Sequence, residues 1–255
     1  MSLDLSLSFP FADPRLQKLD LNRLVRLKTV PVTNQSDATF MLDVDQRRTV
    51  VVKRNLVPSD VQGEAFGFLV SKELRIRTPQ AFVVEHEPFP WSNDSEDDGS
   101  GRQPSPNEHL RQGWASSAIE NALNWDPIDA DLCNQRDLCG IFLLDALLGN
   151  PDRHNENVLV VDASNEEPRH VYSIDLALAW CCDAEGFSKR TDDVPTDCQF
   201  LRGVNRAAIE VHAPAFFDAA AKLANDHGLV ESLVYEVGRV TGNISGEESV
   251  VLAST

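Results

Sequence analysis

The sequence predicts an α+β fold in which a small antiparallel sheet with one helix precedes a mostly helical part. β-Branched residues cluster in short segments before residue 90, and helical spacing dominates the second half. Between them, the run SNDSEDDGSGRQPSPNE is polar, acidic and rich in Gly, Pro and Ser, with nothing to bury. The predicted division is an N-terminal lobe (1–90), a flexible linker or insertion (91–108), a C-terminal lobe (109–245) and a tail (246–255).

The composition is that of a globular chain with reduced thiols. Of 255 residues, 42% are hydrophobic and 25% are charged, which is enough for a sizeable core. The five cysteines are an odd number and show no paired C-x-x-C spacing. This favours buried free thiols over a disulfide framework or a zinc site.

The charge balance restricts the partners. A formal net charge of -17 repels nucleic acid and anionic lipid, whereas a basic protein partner is compatible with it. There is no run of eighteen apolar residues, and the start MSLDLSLSFPF lacks the basic region and long apolar core of a signal peptide. We therefore expect a cytoplasmic protein without a membrane or nucleic-acid partner. The sequence indicates no oligomeric state.

The N-terminal segments predict a meander, a helix and a further strand. Residues 24–32, 38–44 and 49–54 are predicted strands, separated by the turn sequences TNQSD and DQRR. Ser59 and Gln62 have the spacing of a capping box, and apolar residues at helical spacing follow them. The segment TPQAFVVEHE then predicts another strand.

The second half is mainly helical, with one pair of strands. The stretch QGWASSAIENALNW is ambiguous, but residues 131–149 are rich in helix formers and apolar on most faces, which predicts a buried helix. NVLVVD and HVYSIDLALAW predict two short buried strands joined by the turn ASNEEPR. Residues 205–221 and 227–241 predict amphipathic helices.

A polar loop, GNPDRHNENVLVV, lies between the buried helix and the first of these strands. Asp152 and Asn157 have the Asp-x-x-x-x-Asn spacing of kinase catalytic loops, in which a carboxylate orients the attacking hydroxyl and an amide oxygen binds Mg²⁺. The same spacing recurs at Asp129 with Asn134 and at Asp145 with Asn150, so only context gives it meaning. A structural Asx-rich turn is the alternative.

Two further sites complete the pattern. Asp175 follows the strand VYSI, and a hairpin would bring it beside Asn157 as a second metal ligand. Lys53 ends the strand TVVVK, and Glu64 on the next helix could hold it against the α- and β-phosphates of a nucleotide. A solvated strand-end lysine and a solvated helix glutamate are the alternatives.

These segments resemble HipA-like kinases, which are related to the phosphatidylinositol 3- and 4-kinases and to the actin-fragmin kinase. The resemblance covers roughly residues 45–90 and 130–182. Its most specific part is N-x-D-R-H-x-x-N with Ile-Asp downstream, and VVVKR and GEAFGFLVSKELRIRTPQAFVV resemble the lysine strand, the glutamate helix and the strand before the adenine hinge. It implies a two-lobed, protein-kinase-like fold.

The resemblance also implies a role for each matching residue. It implies Asp152 as catalytic base, Asn157 and Asp175 as Mg²⁺ ligands, and Lys53, held by Glu64, as the phosphate-binding lysine. The hinge backbone that binds adenine would be Val84, Glu85 and His86. Arg153 and His154 would orient the loop or a phosphate, and Asp145 would be structural.

The predicted function is an ATP- and Mg²⁺-dependent kinase that phosphorylates Ser or Thr of a protein. Two departures from the family pattern leave alternatives open. The turn TNQSD has no glycine to cradle phosphates, and the predicted C-terminal lobe is short. A pseudokinase binding module is one alternative, and a kinase-fold enzyme that acts on a lipid or small molecule or transfers AMP is the other.

Overall fold

The computed structural model describes residues 16–20, 24–26, 38–53, 58–86, 111–150, 153–162, 168–177 and 204–241. The predicted linker and tail lie outside these residues, so the domain boundaries stay predictions. The strands are β1 (Gln17–Asp20), β2 (Leu24–Arg26), β3 (Ala38–Asp43), β4 (Arg48–Lys53), β5 (Ala81–His86), β6 (Arg111–Ser117), β7 (Leu123–Asn124), β8 (Val158–Val161) and β9 (His170–Ser173). The helices are α1 (Pro58–Glu73), α2 (Gln135–Leu148), α3 (Arg206–Asn225) and α4 (His227–Thr241).

Six strands form one sheet in the order β1-β5-β6-β4-β3-β2. The predicted meander is present, since β3 pairs antiparallel with both β2 and β4. Strand β1 was not predicted. It has only four residues, too few for a periodic pattern, and it forms by pairing parallel to β5.

The ambiguous stretch after the predicted linker contains a strand of the same sheet. β6 lies between β4 and β5 and pairs antiparallel with both. The six-stranded sheet therefore contains residues on both sides of the predicted linker.

The sheet is buried on both faces, and this explains why β5 is apolar without alternation. Ala81 and Val83 belong to the core shared with the helices, whereas Phe82 and Val84 belong to a smaller cluster on the opposite face. Successive side chains of a strand point to opposite faces of the sheet, so the four consecutive apolar residues 81–84 pack alternately into these two hydrophobic clusters.

Helix α1 covers the sheet with the apolar face that the sequence predicts. Val61, Ala65, Phe68 and Leu69 are all buried. The helix begins at Pro58, a residue suited to the first helical turn because it lacks an N–H. The predicted Ser59 cap concerns a side chain outside the described part of the structure.

Helix α2 begins later than predicted. Residues Pro127–Leu132 form a separate 3₁₀ turn, and Asn134 then caps α2 by accepting hydrogen bonds from the backbone N–H groups of Arg136 and Asp137 at 3.0 and 3.3 Å. The helix ends at Gly149, whose φ of 61° is left-handed and suits glycine. The predicted single helix over 131–149 is therefore corrected to 135–148.

Replacing the capping residue tests this boundary. Asn134→Ala should destabilise the chain by about 1 kcal/mol, because two N–H groups of the first turn lose their acceptor. Asn134→Asp should leave the free energy of unfolding nearly unchanged, since Asp caps equally well. Urea denaturation measures both, and equal stability of Asn134→Ala and the wild type would contradict this account.

The remaining elements follow the predictions closely. β8 and β9 form the predicted antiparallel hairpin, with β7 added at its edge. Helix α4 has the predicted bounds, and α3 runs to Asn225, four residues further than predicted. Cys133 and Cys139, both in the described part of the chain, are buried free thiols. Within the described residues, no helix has the length and apolarity needed to cross a membrane.

Candidate nucleotide-binding site

A cavity of about 310 Å³ is lined by the six-stranded sheet, α1 and the β8–β9 hairpin. Its lining is mainly apolar, with Phe40 and Val51 from the sheet and Leu159 and Ile174 from the hairpin region. Among the described residues, the charged side chains that line it are Lys53, Glu64 and Asp175. An apolar cavity with a few converging charged groups is typical of a small-molecule site.

Lys53 binds two carboxylates in this cavity. Its Nζ lies 2.6 Å from Glu64 Oε1 and 2.8 Å from Asp175 Oδ1. The Lys53 side chain is 22% exposed and that of Glu64 is 4% exposed. This excludes the alternatives of a solvated lysine and a solvated glutamate, and it brings together residues that are far apart in the sequence.

Glu64 joins α1 to the chain just after Asp175. Its Oε1 accepts from Lys53, and its Oε2 accepts a 2.9 Å hydrogen bond from the backbone N–H of Leu176. One turn further along α1, a Cβ built on Gly67 would lie 2.7 Å from the Cβ of Leu176. Only a glycine lets the helix approach Leu176 this closely.

The charges in the cavity shift each other's pKa. Burial lowers the pKa of Lys53, but the carboxylates of Glu64 and Asp175 outweigh it, so the pKa lies above its ordinary value. Burial raises the pKa of Glu64, against the opposing effect of Lys53. The two pKa shifts favour different protonation states: the raised pKa of Lys53 favours a charged pair, whereas the raised pKa of Glu64 favours a neutral carboxyl group. We favour the ion pair, because Glu64 accepts hydrogen bonds from both an ammonium and a backbone N–H.

The hairpin places Asn157 and Asp175 near each other, as predicted. Val158 lies opposite Ser173, and the backbone N–H of Ile174 donates a 3.2 Å hydrogen bond to the carbonyl of Asn157. Asn157 is buried, whereas the Asp175 side chain is 33% exposed. Asp175 has a φ of 57°, a left-handed conformation that is uncommon for a residue other than glycine.

Arg153 holds this pair of strand ends against α2. Its guanidinium binds both carboxylate oxygens of Asp145 at 2.8 and 2.9 Å. It also donates to the backbone carbonyls of Asn157 and Ile174 and to Ser173 Oγ. Arg153 therefore orients the loop, as the resemblance implies, and the structural role predicted for Asp145 agrees with this contact.

Asp152, the predicted catalytic base, lies outside the described residues. The described residues before and after this gap, Asn150 and Arg153, bind the same carboxylate: Asn150 Nδ2 donates to Asp145 Oδ1 at 2.9 Å, and Arg153 pairs with Asp145. His154 is exposed and precedes the short 3₁₀ turn at Asn155–Asn157. The roles of Asp152 and His154 stay predictions.

The predicted hinge, Val84, Glu85 and His86, does not fit this geometry. Val84 and Glu85 lie in register with β1 on one side and with β6 on the other, and the side chain of Val84 is buried in the smaller core. His86 also pairs with β6. Val84 and Glu85 are paired on both sides and have no free backbone edge for a purine, so this part of the hinge prediction is corrected. The role of His86 stays a prediction.

The end of β6 and the residues directly after it line the cavity instead. Ser116, Ser117, Ala118 and Ile119 all belong to its lining. The backbone N–H groups of Ser117 and Ala118 donate hydrogen bonds to the carbonyls of Gln80 and Thr49. Ile119 is the next residue whose backbone N–H could face a ligand in the cavity. Sequence reasoning missed this segment because β6 was ambiguous. The small polar run after Trp114 was the available signal.

The residues present fit a nucleotide with Mg²⁺. Within the described part of the chain, no group of three or more His, Cys, Asp or Glu side chains could hold a metal by itself. Mg²⁺ in phosphoryl-transfer enzymes needs only one or two protein oxygen ligands, because phosphates and water supply the others. The carboxylate of Asp175 and the amide oxygen of Asn157 are ligands of that kind.

These features define a protein with a kinase-like fold and confirm the predicted α+β class, whereas the two-lobed arrangement stays a prediction. A solved structure, that of the Helicobacter pylori proinflammatory kinase CtkA, is similar with a TM-score of 0.56 and 12% sequence identity, over 93% of this chain and 92% of that chain. At this identity the similarity shows the fold alone. No family model matches the chain. No curated protein matches it either.

Proposed function

We propose that the chain is an ATP- and Mg²⁺-dependent kinase of the HipA-like type that phosphorylates Ser or Thr of a protein in the cytoplasm. The observation that carries the proposal is the ammonium of Lys53 between the carboxylates of Glu64 and Asp175 at a cavity of about 310 Å³. A strand-end lysine fixed by a helix glutamate and close to a metal-binding Asp is the arrangement that phosphoryl transfer needs.

Each residue has a distinct role in this proposal. Lys53 binds phosphate oxygens, and Glu64 keeps the ammonium in position. Asp175 and Asn157 would hold Mg²⁺, which neutralises charge on the phosphates when bound. Asp152 orients the attacking hydroxyl, and Arg153 keeps Asn157 and Asp175 in register. The backbone of residues 117–120 would replace the predicted hinge as the partner of adenine.

The proposal is tested by nucleotide binding and phosphate transfer with the purified full chain. With Mg²⁺ and γ-labelled ATP, we expect label on the chain itself or on an added protein mixture. Asp152→Asn should reduce transfer by about 10²- to 10⁴-fold and leave nucleotide binding intact, because a general base acts only in the reaction. Lys53→Met should weaken nucleotide binding, whereas Lys222→Met, a change at an exposed lysine on α3, should have no effect.

The possible results separate the candidate functions. Neither binding nor transfer would contradict the proposal. Nucleotide binding without transfer would identify a pseudokinase binding module. Mass spectrometry of the product would distinguish a phosphorylated Ser or Thr from a transferred AMP, a phosphorylated lipid or a phosphorylated small molecule.

A further inference from the structure

Three large apolar side chains near the edge strand β7 are exposed to solvent. Leu123 in β7 is 64% exposed, and Ile128 and Leu132 in the following 3₁₀ turn are 88% and 54% exposed. A single exposed apolar residue is ordinary, but a group of them on one surface is typical of a protein interaction site.

Arg169 contacts the 3₁₀ turn that carries Ile128 and Leu132, and it also pairs with two acidic side chains. Its backbone N–H donates to the carbonyl of Leu132 at 2.9 Å. Its guanidinium lies 3.1 Å from Asp129 and 2.8 Å from Asp162. Leu123 lines the same small depression as Arg169 and these two carboxylates. We call this area the Ile128 surface; its members are Leu123, Asp126, Ile128, Asp129, Leu132 and Asp162.

The charge of the Ile128 surface selects the partner. Among the described residues that line the depression, Asp126, Asp129 and Asp162 contribute three carboxylates and Arg169 is the one cationic side chain. The excess is negative, as in the chain as a whole with its net charge of -17. Anionic lipid and nucleic acid are repelled, whereas Lys and Arg side chains are attracted.

The size of the depression also restricts what binds. Its volume is about 30 Å³, which is close to the share of one water molecule in the liquid. It can accept the tip of one side chain but cannot enclose a small molecule. The occupant must therefore make most of its contacts on the open apolar surface around the depression.

We propose that the Ile128 surface docks a segment of a partner protein in which apolar side chains are flanked by Lys or Arg. The apolar side chains contact Leu123, Ile128 and Leu132, and the cationic ones face the surrounding carboxylates. Asn121 and Asn124 line both this depression and the nucleotide-binding cavity, so the docked segment lies beside that cavity. The docking goes beyond the proposed function and requires no catalysis.

The test measures fluorescence anisotropy of short labelled peptides titrated with the full chain. One peptide combines Leu with Arg, a second has Glu in place of each Arg, and a third has Ser in place of each Leu. The first should bind, more weakly as salt is raised, and the other two should bind far less. The double variant Leu123→Ser and Ile128→Ser should weaken binding at least about tenfold.

Two controls make the result specific. Val211→Ser removes an apolar side chain that is 69% exposed on α3, and it should leave binding unchanged. The Asp152→Asn chain should bind the peptide as the wild type does. The peptide-binding measurement does not depend on phosphate transfer, so it tests the docking proposal even if the chain proves to have no kinase activity.

Several outcomes would overturn the proposal. These are no binding of the Leu and Arg peptide, equal binding of the Glu peptide, and unchanged binding by the double variant. A dimer that the double substitution dissociates would identify a second copy of the chain as the occupant.

Discussion

Arg153→Met is expected to lower the free energy of unfolding by about 3–5 kcal/mol, the largest loss of stability among the changes considered. Arg153 is 5% exposed and binds Asp145, which is 8% exposed. The substitution leaves the carboxylate of Asp145 buried without its cation, and it removes the donor to the backbone carbonyls of Asn157 and Ile174. Chemical denaturation monitored by circular dichroism measures the loss.

The control for this prediction is a salt bridge of the same type at the surface. Arg206 pairs with Glu210 at 3.0 Å, but their side chains are 92% and 65% exposed. Arg206→Met should therefore change the stability by no more than about 0.5 kcal/mol. Adding Asp145→Asn to Arg153→Met should recover part of the lost stability, because the buried charge is removed. Equal losses for the Arg153 and Arg206 variants would show that burial of the pair has no energetic importance.

Gly67→Ala is expected to destabilise the chain although alanine is the better helix former. Helix propensity alone would stabilise α1 by about 1 kcal/mol. The new Cβ would lie 2.7 Å from the Cβ of Leu176, an atom fixed by the backbone that cannot rotate away. The overlap is of a kind that typically costs about 1–3 kcal/mol, so α1 must move away from Leu176. That movement strains the hydrogen bond from Leu176 N–H to Glu64, so nucleotide affinity should fall together with stability.

Gly140→Ala is the matched comparison. Gly140 also lies inside a helix, but its new Cβ would make an ordinary contact at 3.6 Å with Ile76 Cγ1. This substitution should stabilise the chain by up to about 1 kcal/mol and leave nucleotide binding unchanged. Thermal unfolding and nucleotide titration measure both variants. The explanation fails if the two substitutions shift the unfolding temperature in the same direction by similar amounts.

The site could be predicted where short-range pattern and topology agree. Asn157 precedes the first strand of a hairpin and Asp175 follows the second. Both strands are readable from their apolar runs, and pairing them brings the two residues close together. Lys53 and Glu64 are joined by a short connection from strand to helix, so their contact also follows from local structure. Sequence context favoured the copy of the Asp-x-x-x-x-Asn spacing at Asp152 and Asn157 over its two recurrences, and the role of Asp152 stays a prediction.

The parts that could not be predicted depend on strand order and on long-range contacts. The hinge was placed at residues 84–86 because the segment that ends in TPQAFVV resembles the strand before the adenine hinge of HipA-like kinases, but β6 continues the sheet beyond it. Nothing in the residues of β1 indicates its parallel pairing with β5. The anchoring of Arg153 to a carboxylate on α2 and to two backbone carbonyls likewise appears only when the helix and the hairpin pack together.

Apolar periodicity and the order of polar residues along the chain were sufficient to indicate the α+β class, most of the helices and strands, and the proximity of Lys53 to Glu64 and of Asn157 to Asp175. These features depend on neighbours within a few turns or one hairpin, so the local sequence carries them. Packing of α1 against Leu176, the two-sided burial of β5, and the pairing of Val84 and Glu85 with strands on both sides were decided by the tertiary structure. Each depends on distant segments that bury apolar surface together, and a linear sequence does not specify which segments meet.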